Sequence, residues 1–182
     1  MIKIFVLSMF AMLVMTSVAM AQKPVTVGGA PMYADKNIIE NAVNSKDHTT
    51  LVAAVKAAGL VETLQGPGPF TVFAPVNAAF GALPAGTVDN LLKPENKGTL
   101  TAVLTYHVVP GRLNAQALER LIKQGNGKAK LKTVQGEELT ASSSGDTITI
   151  TDAKGGAAKI TISNVNQSNG VIHVIDHVLL PK

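Results

Sequence analysis

The stretch Pro69-Phe70-Thr71-Val72-Phe73-Ala74-Pro75 decides how the chain is read. Five β-favouring and apolar residues stand between two prolines. Proline is kept out of the interior of central strands because it cannot donate to a ladder, so residues 70–74 read as a short strand cut off at both ends and expected to be central. Upstream the spacing is helical. Ile38, Ile39, Ala42 and Val43 recur at i, i+1, i+4 and i+5, and Asn37 with Glu40 three residues on resembles a capping box. A second helix follows, with Asp47 or Thr49 expected to cap it. Leu51, Val52, Val55 and Ala58 form its buried stripe, and Gly59 stands where a left-handed residue ends a helix.

Downstream, helical patterning returns over 95–106, with Leu100, Val103 and Leu104 on one face, and over 114–122, with Ala117, Leu118, Leu121 and Ile122. After Gly125 the period falls to two, over 131–140 around Gly136, then 147–151, 158–163 and 171–180. Ile148 and Ile150 face one way and Thr147, Thr149 and Thr151 the other. Ile160 and Ile162 repeat the pattern after Lys154-Gly155-Gly156, which makes a hairpin with one wet face. Helices first and antiparallel strands later predict an α+β domain with helices packed against the dry side of the sheet.

The chain has 182 residues, of which 46% are hydrophobic and 15% charged, with 16 Gly and 9 Pro in no period and no Cys. That is enough for one domain with its own core, and it excludes a disordered or collagen-like chain. Without cysteine there are no disulfides, thiolate zinc sites or thiol catalysis. Lys3, the apolar run from Ile4 to Val14 and Ala19-Met20-Ala21 read as a secretory signal peptide over residues 1–21. Its removal leaves 161 residues and lowers the formal charge from +4 to +3. Residues 22–35 show no helical or strand period and are expected to be a flexible N-terminal segment, with the domain occupying 36–182. No second apolar span follows, so a secreted product, extracellular or periplasmic, with no stable membrane anchor after cleavage is expected.

Patterns that carry catalysis are missing. Gly66-Pro67-Gly68-Pro69 leads into a strand and Gly155-Gly156 lies in a hairpin, so neither opens a helix onto a phosphate. His173 and His177, four apart on a strand, lie roughly 13 Å from each other, too far to share an ion, and His48 and His107 complete no ligand spacing. Ser168, His173 and Asp176 have no nucleophile elbow or oxyanion arrangement with them. No enzyme, metal or cofactor is expected. Lys128, Lys130 and Lys132 alternate, so a strand there projects all three from one side. They form either a basic patch for acidic polysaccharide or headgroups, or an edge protected against aggregation. Nucleic acid is not an expected partner, because aromatics are few and the product is exported.

Three ordered segments resemble the signatures of fasciclin domains. The first is Thr71-Val72-Phe73-Ala74-Pro75-Val76-Asn77-Ala78-Ala79-Phe80, in which Phe80 would plug a short helix into the core. The others are Leu104-Thr105-Tyr106-His107-Val108-Val109-Pro110-Gly111 and the run from Asn169-Gly170 through Asp176-His177 to Pro181. The resemblance covers about Asp35 to Pro181. It implies a fasciclin-like fold of twisted antiparallel β-sheets with helices packed on one side. It also implies a secreted, non-enzymatic adhesion or surface-interaction module, monomeric, binding a cell-surface or extracellular-matrix protein or polysaccharide. Partner contact would fall to Tyr106 and His107 with Leu104, Val108 and Val109; the alternative is that a tyrosine-histidine pair at a helix end before a strand is a hydrogen-bonded core element. Asn164-Val165 stands where some animal fasciclin domains carry an Asp-Ile pair implicated in integrin binding, so that route loses its carboxylate. The competing reading is an exported small-molecule or metal-binding stress protein on the same fold.

Overall fold

Local chemistry sets the first helices of the computed structural model, which describes residues 23–182; the expected leader over 1–21 and Gln22 lie outside the described residues. Asn37 caps α1 (Ile38–Ala42) by accepting from Glu40 N–H at 2.9 Å, while the Glu40 carboxylate accepts from Asn37 N–H at 2.8 Å, the expected capping box. α2 (Thr49–Ala58) ends at Gly59 with φ +73°, as expected, but neither Asp47 nor Thr49 caps its start. That role falls to Asn77, 27 residues further on, whose Oδ1 accepts from Thr50 N–H at 3.0 Å and whose Nδ2 donates to the Lys46 carbonyl at 2.8 Å. Replacing a capping amide removes partners from helix donors that have no other, so Asn77→Ala is expected to cost about 1 to 2 kcal/mol in urea unfolding. Unchanged stability would show that solvent replaces the cap.

α3 (Val61–Gln65) leads into the proline-bounded strand β3 (Phe70–Pro75), and α4 (Asn77–Gly81) then turns Phe80 into the core as expected. After α5 (Thr87–Leu91) and α6 (Lys97–Tyr106) come the short strand β4 (Val108–Pro110) and α7 (Ala115–Gln124). In α7 only Leu118 and Ile122 of the expected stripe are buried, and Leu121 is exposed. The chain closes with β5 (Lys128–Lys132), β6 (Glu138–Ser144), β7 (Thr147–Thr151), β8 (Ala157–Gln167) and β9 (Gly170–Ile175).

One seven-stranded sheet runs β4-β3-β9-β8-β7-β6-β5. β3 therefore lies second from an edge rather than at the centre. Its pairing with β9, from Phe70 opposite Gly170 to Pro75 opposite Ile175, is parallel, which makes an otherwise antiparallel sheet mixed. Both strands are covered on both faces, which is why their sequences run apolar without alternating. Val72, Ala74, Ile172 and Val174 face a first core with Ile38, Leu51, Val55 and Leu104 from α1, α2 and α6. Phe73 and Ile175 face a second core with Leu118 and Ile122 of α7 and the inner residues Leu131, Leu139, Ile148 and Ile150.

The segment expected to be flexible, 22–35, contains a hairpin instead: β1 (Val25–Val27) pairs with β2 (Ala30–Met32). Val27 and Met32 join the first core, and Gly28 and Gly29, at φ +57° and +76°, make the turn between them. Gly28 has a second reason to be glycine, since a Cβ there would collide with Ser45 Oγ.

Candidate functional site

Tyr106 and His107 lie where α6 passes into β4, at the seam between the two cores. Leu104 and Val108 turn into the first core, Tyr106 and Val109 into the second. The Tyr106 side chain is fully buried, and its hydroxyl donates to the Glu138 carbonyl at 3.1 Å and accepts from Ala153 N–H at 2.9 Å, joining α6 to β6 and to the turn after β7. Burial raises the phenol's pKa, against the Ala153 N–H that favours its anion. His107 is 3% exposed. Its Nδ1 donates to the Val103 carbonyl at 2.8 Å, and its Nε2 accepts from Leu179 N–H at 3.0 Å, a pairing that assigns the proton to Nδ1. Burial holds this ring neutral by lowering its pKa to about 4, against the Val103 carbonyl and the Asp152 carboxylate.

The geometry puts the pair inside the fold. Tyr106, His107, Leu104, Val108 and Val109 are all buried, and both imidazole nitrogens of His107 are used inside the fold, so none is presented to a docking partner. The pair anchors helix α6 to the C-terminal segment. Asp152 completes the anchor: one carboxylate oxygen accepts from Lys154 and Gly156 N–H at 3.0 and 2.7 Å, the other from Leu180 N–H at 2.9 Å. Nothing in the local sequence marked Asp152 beyond its place before a Gly-Gly turn.

The remaining histidines go to separate places. His173 donates from Nε2 to the Leu113 carbonyl at 2.7 Å and stacks on Phe73 with centroids 5.8 Å apart. His48 meets Ser45 Oγ through Nδ1 at 2.9 Å. Burial lowers the pKa of both rings. Exposed His177 pairs with Asp176 at 2.9 Å, and Asp176 also accepts from Lys159 N–H, so it does not orient His173 toward Ser168. Among the described residues no three His, Asp or Glu side chains are grouped to hold a metal ion. Asn164 Oδ1 accepts from Ala115 N–H at 2.7 Å at the start of α7, and Val165 is buried.

Other polar groups hold turns. Arg112 forks onto the carbonyls of Gly170 (2.8 Å), Gln167 (3.0 Å) and Ser168 (3.2 Å), and Asn169 pins Ile38 N–H and the Leu64 and Gly66 carbonyls. Neither role was legible without the pairing of β3 with β9. What faces solvent is β5, at the end of the sheet, with Lys128, Lys130 and Lys132 exposed on one side as the alternation predicts. Lys130 meets Glu138 at 3.1 Å.

Comparison with known proteins places this architecture. The family profile of the Fasciclin domain matches residues 46–181. Protein sll1483 of Synechocystis sp. is 45% identical over 174 residues, covering 92% of this chain and 88% of that one. Cell surface glycolipoprotein MPB83 of Mycobacterium bovis is 32% identical over 166 residues, 88% of this chain and 68% of that one. Among solved structures, a FAS1 domain pair from the insect cell adhesion molecule Fasciclin I superposes with a TM-score of 0.71 over 80% of this chain and 51% of that one, at 16% identity, a likeness of fold.

Proposed function

The chain belongs to the fasciclin domain family, and from that premise we propose that it is an exported, non-catalytic adhesion or interaction module that holds a surface polymer or protein by an exposed patch. The observation that carries this reading is the use of its chemically capable groups. Tyr106, His107, Asp152 and His173 all spend hydrogen bonds on the fold, while the lysines of β5 face solvent. The name of the relative MPB83 places that protein at the cell surface. Among the described residues no helix is long and apolar enough to cross a membrane.

A small-molecule site inside the first core fits less well. The apolar cavity of the first core, between Ile39, Leu51, Val72 and His48, measures about 40 Å³. That is room for a water or two, against the roughly 300 Å³ or more of an organic ligand pocket.

Labelled protein should bind saturably to the surface of the secreting cell, its wall fraction or host matrix, and unlabelled protein should displace it. Displayed in multivalent array, it should bind about a hundredfold more tightly than as a monomer. Absence of saturable binding to all three, or turnover of a surface polymer, would overturn the proposal.

A further inference from the structure

The sheet from β5 to β8 is covered on one side and open on the other. Leu131, Leu139, Ala141, Ile148, Ile150 and Ala158 enter the second core, and their neighbours in sequence point outward. Strand pairing aligns these outward residues in rows. One row crosses four strands as Lys128, Ser142, Thr149 and Lys159, the next as Lys130, Thr140, Thr151 and Ala157, and Lys132 stands opposite Glu138. At ~4.8 Å per strand the first row is about 14 Å long. The hydroxyls of Thr140, Ser142, Thr149 and Thr151 have no hydrogen-bond partner among the described residues. Four lysines against Glu138 and, beyond Lys159, the Asp176 carboxylate that accepts from Lys159 N–H leave the face positive, and Glu138 engages Lys130 alone.

We propose that this face binds a linear carboxylated polysaccharide laid across the strands. The proposal rests on the interaction-module reading and names its contact surface and partner class. Edge protection explains lysines on β5, the terminal strand, but not Lys159 on β8, which lies inside the sheet between β7 and β9. Ala157 is the only apolar side chain in the two rows and no aromatic stands among them, so the face lacks the anchors of a protein interface and the apolar surface that enters a lipid layer. It offers hydroxyls at strand spacing with cations at both ends. Sugar hydroxyls exchange hydrogen bonds with serine and threonine, and acid groups meet lysines. The modest net positive charge over this width, four lysines against Glu138 and Asp176, suits one carboxylate per sugar rather than a densely sulfated chain.

The test uses purified protein on immobilised polygalacturonate, with dextran, dextran sulfate and phosphatidylglycerol vesicles alongside. Binding to polygalacturonate is expected at ~0.05 M salt and its loss at about 0.5 M, since exposed charges are screened beyond a Debye length. Lys128→Gln with Lys159→Gln should weaken it about tenfold or more, and Thr149→Glu as much. Ser142→Ala with Thr149→Ala, which leaves every charge in place, should weaken it about threefold or more. Urea midpoints should shift only slightly in all variants, because Lys128 and Lys159 are exposed and Ser142 and Thr149 are half-buried on the open face, outside the second core. Wild-type affinity in folded variants, stronger binding to dextran sulfate or to vesicles, or no binding to polygalacturonate would overturn the proposal. If the protein still holds cells while these variants hold them equally well, this face is wrong and the module reading stands. Loss of all saturable surface binding would remove both.

Discussion

Tyr106→Ala is expected to lower the unfolding free energy by about 3 to 5 kcal/mol, the largest effect of any single truncation argued for this protein. The ring is fully buried in the second core, so its removal leaves a cavity among Phe73, Leu118 and Ile175. It also leaves the Glu138 carbonyl and the Ala153 N–H without the hydroxyl that serves both. A domain of this size has roughly 5 to 15 kcal/mol to lose, so the variant should unfold at low urea. Tyr106→Phe separates the two terms: it keeps the ring and should cost about 1 to 3 kcal/mol for the unpaired groups. Because Tyr106→Phe stays folded, it also tests whether the pair meets a partner, and its affinity for a surface ligand should match the wild type. Adhesion lost in Tyr106→Ala alone would be loss of fold. Full stability of Tyr106→Ala would contradict the burial on which this account depends.

What the sequence shows and what it hides follows from the range of the forces involved. The capping box of Asn37 and Glu40, the left-handed Gly59 and the inward Ile148 and Ile150 are decided within a few residues, and each was legible. The three signature segments carried the family because their order and spacing are specific. The parallel pairing of β3 with β9 joins residues a hundred positions apart, and no local pattern separates it from an antiparallel one. Three-residue strands on either side of Gly28-Gly29 are too short to display a period, although Gly-Gly between alternating residues is itself a hairpin signal. In β8 the inward set changes parity between Ala158 and Val165, because irregularities around Ile162 and Asn164, the latter at φ +58°, shift the register. The depth of Tyr106 and His107 was the least legible. A tyrosine-histidine pair at a helix end suits a contact surface as well as a core, and here α7 with β5 to β7, all later in the chain, supply the cover.

The buried imidazole of His107 makes stability depend on pH in a direction that follows from its neutral state. Its pKa in the folded protein is about 4 against 6.5 for an unperturbed ring, so between these values the unfolded chain binds a proton that the folded one refuses. Above 6.5 both states are neutral and the group has no effect; as pH falls below 6.5 stability declines, and the decline ends near 4 where the folded ring also charges. At 1.36 kcal/mol per unit, His107 alone should remove about 2 to 3 kcal/mol between pH 7.5 and about 4.5. The pKa values of His48 and His173 are lowered by burial as well, so both add in the same direction. Charging His107 would also force Nε2, which accepts from Leu179 N–H, to become a donor facing a donor, and that releases the C-terminal segment from α6. Urea midpoints measured across this range, with His107→Gln as reference, give the check. The wild type should lose more stability on acidification than His107→Gln, and ring resonances assigned to His107 should not titrate above about pH 5. A midpoint that stays level from pH 7.5 to about 4.5 in the wild type would show that the ring reaches solvent, and the anchoring role of the tyrosine-histidine pair would fall with it.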